Sequence, residues 1–118
     1  MKTLFVEYPK CTTCKKARKW LEEHKVEFED RDIKEKNPTA EELETWYKRS
    51  GLPLKRFFNT SGLLYRSMQL KDRLPDMSEE EQIALLAGDG MLVKRPLVVK
   101  EDTVLVGFKE AEWEKALL

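Results

Sequence analysis

Both cysteines of the chain, Cys11 and Cys14, stand in one short stretch and are separated by two threonines. An apolar segment, residues 3–8, precedes them with a proline at its end, and apolar residues at helical spacing follow them. A Cys-x-x-Cys motif at a turn from strand to helix is typical of a thiol redox site. The stretch therefore predicts a strand that leads directly into a helix whose first turn carries both thiols.

Helix position gives the two thiols different roles. Cys11 is expected at the helix N-terminus, where free N–H groups and the positive end of the helix dipole favour a thiolate. Cys14 lies one turn further and is within reach of Cys11, which predicts an attacking Cys11 and a resolving Cys14. Thr12 and Thr13 offer N–H or hydroxyl groups to a bound anion, although small residues are also ordinary at helix starts.

Two other interpretations of the cysteine pair stay open. The thiols are also compatible with unreactive small hydrophobes. A zinc site is the second alternative. Zinc takes four ligands, and the two cysteines together with the one histidine, His24, supply only three. We therefore predict no metal.

Length and charge limit the classes of partner. The chain has 118 residues, enough for one domain with its own core, and its 22 basic residues equal its 22 acidic ones. A net charge of zero argues against extensive electrostatic binding to the phosphate backbone of DNA or RNA. No apolar run approaches a membrane span of about 20 residues, and Glu7 comes too early for a signal peptide. We therefore expect the chain to stay in the reducing cytoplasm, where two nearby cysteines are more often catalytic or sensory than structural. We also expect a monomer.

Apolar periodicity at the two ends of the chain predicts an α/β fold. Residues 3–8, 12–24 and 26–33 are typical of a strand, a helix and a second strand, and short links make the two strands parallel. Residues 97–99 and 104–106 indicate a hairpin. The chain then closes with a helix over residues 110–118, whose inward residues are predicted to be Trp113, Ala116 and Leu117.

The middle of the chain, about residues 35–89, carries helix signals and no strand signal. Thr39–Glu42 and Ser78–Glu81 are capping boxes. The predicted inward residues are Leu43, Trp46, Tyr47, Leu64, Met68, Ile83, Leu86 and Ala87. The order of the predicted elements is βαβ, then several helices, then ββα. This order indicates a thioredoxin-like mixed sheet with an all-helical insertion. We expect the chain to form a single domain of residues 1–118.

The dipeptide Arg95-Pro96 directly precedes the third predicted strand. A proline cannot donate to the sheet ladder, so it belongs at a strand start. In a thioredoxin-like fold this position faces the first cysteine, and its Xaa-Pro bond is often cis. Arg95 would then be the nearest fixed cation to Cys11, where it stabilises a thiolate or grips an anion. The alternative is an ordinary surface arginine before a trans proline.

Four stretches of the chain, residues 8–17, 58–62, 94–99 and 106–107, together resemble the arsenate reductase (ArsC)/Spx family. The resemblance covers nearly the whole chain. It implies the thioredoxin-like fold with a helical insertion, and it makes Cys11 the counterpart of the family's reactive cysteine. The segments 57–62 and 106–113 look most like a group of small reductase-like members that have no defined substrate.

The chain departs from the arsenate reducers of this family at two oxyanion-binding arginines. Asn59 stands at the matching position of the insert, and Lys109, a point charge without a guanidinium fork, follows the last strand. The internal Cys14 also replaces the outside thiol on which those enzymes rely. Arsenate is therefore not the expected substrate. The predicted substrate-binding residues are Thr12, Thr13, Asn59, Pro96 and Lys109, beside catalytic Cys11, Cys14 and Arg95.

Two functions follow from this resemblance. The first is a thiol–disulfide oxidoreductase that acts on a small thiol adduct or a protein disulfide. Glutathione, thioredoxin or glutaredoxin restores its dithiol, with no other cofactor. The alternative is an Spx-like regulator that binds RNA polymerase and uses the cysteine pair as a switch.

Overall fold

A mixed four-stranded sheet organises the first of two compact units. A computed structural model describes residues 3–118. They divide into one unit of residues 3–32 and 95–118 and another of residues 33–94. The strands are β1 (Thr3–Glu7), β2 (Phe28–Asp32), β3 (Leu97–Lys100) and β4 (Thr103–Val106). The α-helices are α1 (Thr12–Glu23), α2 (Ala40–Ser50), α3 (Leu63–Ser67), α4 (Leu70–Arg73), α5 (Glu79–Gly88) and α6 (Glu110–Leu117).

The strand order of the sheet is β2-β1-β3-β4. β1 runs parallel to β2 because α1 carries the chain back across the sheet, and it runs antiparallel to β3. β3 and β4 form the predicted hairpin. Val6 pairs with Leu97, so the residues that follow β1 lie beside the residues that precede β3. The predicted α/β fold with its mixed sheet is confirmed.

One hydrophobic cluster joins α1 and α6 to the sheet. Phe5 at its centre is fully buried and meets the Trp113 ring edge-on, with the centroids 6.4 Å apart. The Trp113 indole N–H donates to the Gly107 carbonyl at 3.1 Å, which satisfies the buried polar atom. The other buried members of the cluster are Ala17, Trp20, Leu21, Val98 and Leu117. Ala116, predicted to face inward, is exposed, because Trp113 and Leu117 already cover the inner face of the short α6.

The unit of residues 33–94 contains α2 to α5 and three 3₁₀ turns, Leu54–Phe57, Leu74–Asp76 and Gly90–Leu92. Both predicted capping boxes are present, with each cap hydroxyl accepting from the N–H of the glutamate three residues later. Gly51 ends α2 with φ at +70°, a conformation that glycine adopts freely. The predicted helical insertion, about residues 35–89, is helical as expected, and the single-domain organisation stays a prediction.

The inward residues of this unit agree with the prediction only in part. Leu43, Trp46, Ile83 and Leu86 are buried, whereas Tyr47 and Ala87 are half-buried. Leu64 and Met68 are also half-buried, and Tyr65 and Leu70 are the buried residues instead. Gln69, with a φ of +54°, separates α3 from α4, so residues 63–70 do not form the one short helix that their apolar spacing predicts.

Candidate active site

The turn between β1 and α1 places Cys11 at the N-cap of the helix. Its backbone is extended, with φ −83° and ψ 127°, and its N–H donates to the Tyr8 carbonyl at 2.9 Å. The Cys14 N–H, on the third helical residue, lies near the Cys11 sulfur without the alignment of a full capping hydrogen bond. The sequence thus folds as predicted here, with one thiol at the mouth of the helix and the other in its first turn.

Cys11 is partly exposed and its environment favours the thiolate. Partial burial raises the pKa of Cys11, but three groups outweigh that effect. They are the Cys14 backbone N–H, the Cys14 thiol and the Arg95 guanidinium, and the net pKa lies below the ordinary value. Because the thiolate is the nucleophile, this shift makes Cys11 the more reactive thiol of the pair.

The Cys14 thiol has the opposite environment. It is fully buried in α1, and that burial raises its pKa to about 12, although the Tyr8 backbone N–H favours the thiolate. The charge on Cys11 and the carboxyl of Glu7 add to the rise. Both cysteines are free in this structure. The pair is therefore asymmetric, with a nucleophile at the surface and a protonated thiol behind it.

Arg95 lies in the same site, as the pairing of β1 with β3 requires. Its Cζ is 5.1 Å from the centroid of the Tyr8 ring, and its charge acts on Cys11. Among the described residues its Nε and Nη1 are buried and have no hydrogen-bond partner. Two buried donors without a partner are unusual on a half-buried arginine, and they leave hydrogen-bonding capacity unused beside Cys11.

Three further predicted residues adjoin these groups in the sequence. Thr12 and Thr13 are the first two residues of α1, and both side chains are exposed. Pro96 is buried, follows a cis peptide bond from Arg95, and accepts a hydrogen bond from the Gly107 N–H at 2.9 Å. Their roles in substrate binding stay predictions.

Asn59 and Lys109 take part in local structure. The Asn59 N–H donates to the Leu92 carbonyl at 2.7 Å, and its own carbonyl accepts from Gly62 at 3.1 Å, both within the helical unit. Lys109 is the N-cap of α6; its side chain is 64% exposed and its Nζ lies 3.7 Å from Glu112 Oε2. Their predicted contacts with substrate remain predictions.

Glu7 is a titratable residue of this site that was not predicted from the sequence. It is the last residue of β1, is only 3% exposed, and its burial, together with Asp30 of β2, raises its pKa to about 8. The strand alternation that places Thr3 and Phe5 inward also places Glu7 inward. That alternation was the available signal, since an acid at the buried end of a strand is rare without a role.

The described part of the chain shows neither a metal-binding cluster nor a membrane-spanning helix. Over residues 3–118, histidine, cysteine and acidic side chains form no group of three suited to hold a metal ion. Within the same range, no helix combines the length and apolar character needed to cross a membrane.

Comparison with protein families gives one match that spans almost the whole chain. The model of the ArsC family matches residues 6–116. The uncharacterized protein YusI of Bacillus subtilis is 55% identical and covers 98% of both chains. The global transcriptional regulator Spx of Staphylococcus haemolyticus is 29% identical over 99% of this chain and 87% of its own.

Two solved structures share the fold and much of the sequence. An ArsC-family-related protein from Bacteroides fragilis is 62% identical, with a TM-score of 0.95 over 98% of this chain and 97% of its own. A protein from Streptococcus mutans, named as a possible arsenate reductase, is 43% identical, with a TM-score of 0.87 over 95% of this chain and 97% of its own.

Proposed function

Because this chain belongs to the ArsC family, we propose that it is a thiol–disulfide oxidoreductase whose two cysteines reduce a disulfide or a thiol adduct. The observation that carries the proposal is the asymmetry of the pair. Cys11 is partly exposed and its pKa is lowered, whereas Cys14 is fully buried and its pKa is raised to about 12. An attacking thiol must be accessible and ionised, whereas a resolving thiol is held in reserve, so the difference in exposure and pKa fits these two roles. Structural cysteines do not require such a difference.

The reaction has two exchange steps. The Cys11 thiolate attacks one sulfur of the substrate disulfide, a Cys11–substrate bond forms, and the other substrate sulfur leaves as a thiolate. Cys14 then loses its proton and attacks the Cys11 sulfur, which releases the second substrate thiolate and forms the Cys11–Cys14 disulfide. Two electrons pass from the dithiol to the substrate, and glutathione, thioredoxin or glutaredoxin restores the dithiol.

Arg95 is the substrate-facing cation of this scheme. Its unpartnered Nε and Nη1 can bind a carboxylate or another anionic group of the substrate beside Cys11. Thr12 and Thr13, the exposed first residues of α1, contribute N–H donors of the first helical turn next to Cys11. Arsenate is not part of the proposal, since Asn59 and Lys109 lack the guanidinium fork.

The test is a redox titration of the reduced protein in glutathione buffers, followed by thiol alkylation and mass measurement. We expect a reversible Cys11–Cys14 disulfide with a potential of about −270 to −200 mV, the range of thioredoxins and glutaredoxins. Cys14→Ser is expected to accumulate a mixed disulfide with glutathione, and Cys11→Ser to accumulate none. Failure of wild-type protein to form an internal disulfide at any potential would refute the two-cysteine scheme.

The second candidate function is an Spx-like regulator that binds RNA polymerase in one redox state. The observation that favours it is the similarity to a protein named as a global transcriptional regulator, over 99% of this chain. Immobilised reduced and oxidised protein would each be mixed with purified RNA polymerase. Stoichiometric capture in one state only would support the regulator, and no capture in either state would exclude it.

A further inference from the structure

Glu7 lies on the face of the sheet that α1 covers. Along β1, Thr3, Phe5 and Glu7 alternate with Leu4 and Val6, and Phe5 belongs to the cluster that contains Ala17 and Leu21 of α1. Only 3% of Glu7 is exposed to solvent. Its carboxyl is therefore enclosed between the end of β1 and the first turns of α1, the same place that encloses the Cys14 thiol.

The polypeptide links Glu7 directly to the environment of Cys14. The backbone N–H of Tyr8, the next residue, interacts with the Cys14 sulfur, and the Glu7 carboxyl acts electrostatically on the same thiol. Cys14 itself is completely shielded from solvent. A base dissolved in water thus has no direct access to the Cys14 proton, and a base supplied by the protein is required.

The resolving step needs such a base. The proposed reaction ends only when Cys14 becomes a thiolate, and a buried thiol without assistance resists ionisation. We propose that Glu7 accepts the Cys14 proton as the Cys14 sulfur attacks Cys11. The inference rests on the proposed function. The Cys14–Cys11 bond forms, the bond from Cys11 to substrate breaks, and the departing thiolate takes the proton back from Glu7.

Charged groups on two neighbouring elements tune this carboxyl. Asp30 and Asp32 of β2 raise the pKa of Glu7, and Arg18 of α1 lowers it. Arg18 Nη1 also lies 2.8 Å from Asp30 Oδ2, so the arginine is shared between the two acids. Burial and these acids raise the pKa of Glu7 to about 8. The carboxylate that accepts the Cys14 proton is therefore the minor form at neutral pH, and the resolving step should speed up as the pH rises towards 8.

A chromogenic disulfide separates the two steps. Dithiobis-nitrobenzoate releases one coloured thiolate when Cys11 attacks it and a second when Cys14 resolves the adduct. Stopped-flow measurement of both phases is compared for the wild type, Glu7→Gln and Glu7→Asp. We expect the second phase to slow about 10²-fold in Glu7→Gln, as for the loss of a general base. The first phase should keep its rate, and Glu7→Asp should regain part of the second.

Opposite outcomes have distinct meanings. If Glu7 acted only through its charge, Glu7→Gln would make Cys14 easier to ionise, and an unchanged or faster second phase would overturn the inference. Equal slowing of both phases would assign Glu7 a structural role and overturn it as well. Absence of a second phase in the wild type would instead refute the proposed function, so the two failures are distinguishable.

A second variant keeps the inference testable if Glu7→Gln does not fold. Asp30→Asn keeps the Glu7 carboxyl but removes an acid that raises its pKa. The pH profile of the second phase should therefore move to lower pH, while that of the first phase should stay in place. A second-phase profile that does not move would overturn the role of Glu7.

Discussion

Arg95 lies over the ring of Tyr8, with its Cζ 5.1 Å from the ring centroid. The backbone of Tyr8 meanwhile accepts from the Cys11 N–H at 2.9 Å and directs its own N–H toward Cys14. One residue thus holds the cation and both thiols in a fixed relationship. The cation–π contact orients the guanidinium while its donors stay available.

Removal of the Arg95 charge should make Cys11 less reactive. In Arg95→Gln the thiolate loses a stabilising cation, so the pKa of Cys11 rises and its alkylation by iodoacetamide at pH 7 slows severalfold. Lys48→Gln, which removes an exposed cation already paired with Glu44 and outside the site, is the matched control and should leave the rate unchanged. Equal rates in Arg95→Gln and wild type would show that Arg95 does not act on Cys11.

The Tyr8 ring can be tested separately from its hydroxyl. Tyr8→Phe keeps the aromatic face beneath Arg95 and should behave as the wild type, whereas Tyr8→Leu should lose about 0.5–2 kcal/mol of unfolding free energy. Tyr8→Leu should also weaken the effect of Arg95 on the Cys11 pKa, as measured by alkylation rate against pH. Loss of both properties in Tyr8→Phe would contradict a role for the ring.

Glu7 should make the stability of the protein depend on pH. Its pKa is raised from 4.5 to about 8 on folding, so the folded state binds the proton more tightly than the unfolded state. The resulting stabilisation is complete below about pH 4.5 and disappears as pH rises through about 8. The Glu7→Gln variant carries no charge to bury. Its free energy of unfolding should therefore rise relative to that of the wild type as the pH increases from about 4.5 to about 8.

Urea unfolding of both proteins at several pH values measures this difference. The gap between the Glu7→Gln and wild-type midpoints should widen from about pH 5 to about pH 8 and then level off. A gap that is constant over this interval would show that Glu7 does not titrate between the folded and unfolded states.

The two glycines at the end of α5 should respond oppositely to alanine. A Cβ at Gly90 would overlap the backbone carbonyl of Ile33, so Gly90→Ala must displace main chain and should cost several kcal/mol. A Cβ at Gly88, the last residue of α5, meets no atom within 4 Å. Gly88→Ala should therefore be neutral or stabilise by up to about 1 kcal/mol, and urea unfolding measures both.

Local signals predicted most of the fold correctly. The capping boxes at Thr39 and Ser78 depend on residues three positions apart, and the buried stripe of α1 depends on spacing within one helix. Where the structure differs from the prediction, a long-range or conformational cause is responsible. Gln69 takes a left-handed conformation that nothing in its neighbours signals, and it separates α3 from α4.

The candidate site shows the same division. Cys11, Cys14 and Arg95 could be predicted together because a motif placed the thiols and the topology of the sheet placed the arginine. Glu7 was missed although strand alternation was a signal for it, because the neighbouring Val6 is buried as well and alternation alone does not mark Glu7 as enclosed. The predicted substrate-binding roles of Asn59 and Lys109 were based on the family resemblance alone. The contacts described for these two residues are with neighbouring parts of their own segments.

The second strand of the sheet has a consequence for self-association. β2 forms one border of the sheet and consists of a phenylalanine followed by Glu29, Asp30, Arg31 and Asp32. The free backbone groups of a border strand can template a strand from another molecule, and charged side chains oppose that addition. A foreign strand that docked here would have to place its own side chains beside four charges of mixed sign. The charges on β2 therefore disfavour edge-to-edge pairing at this border of the sheet.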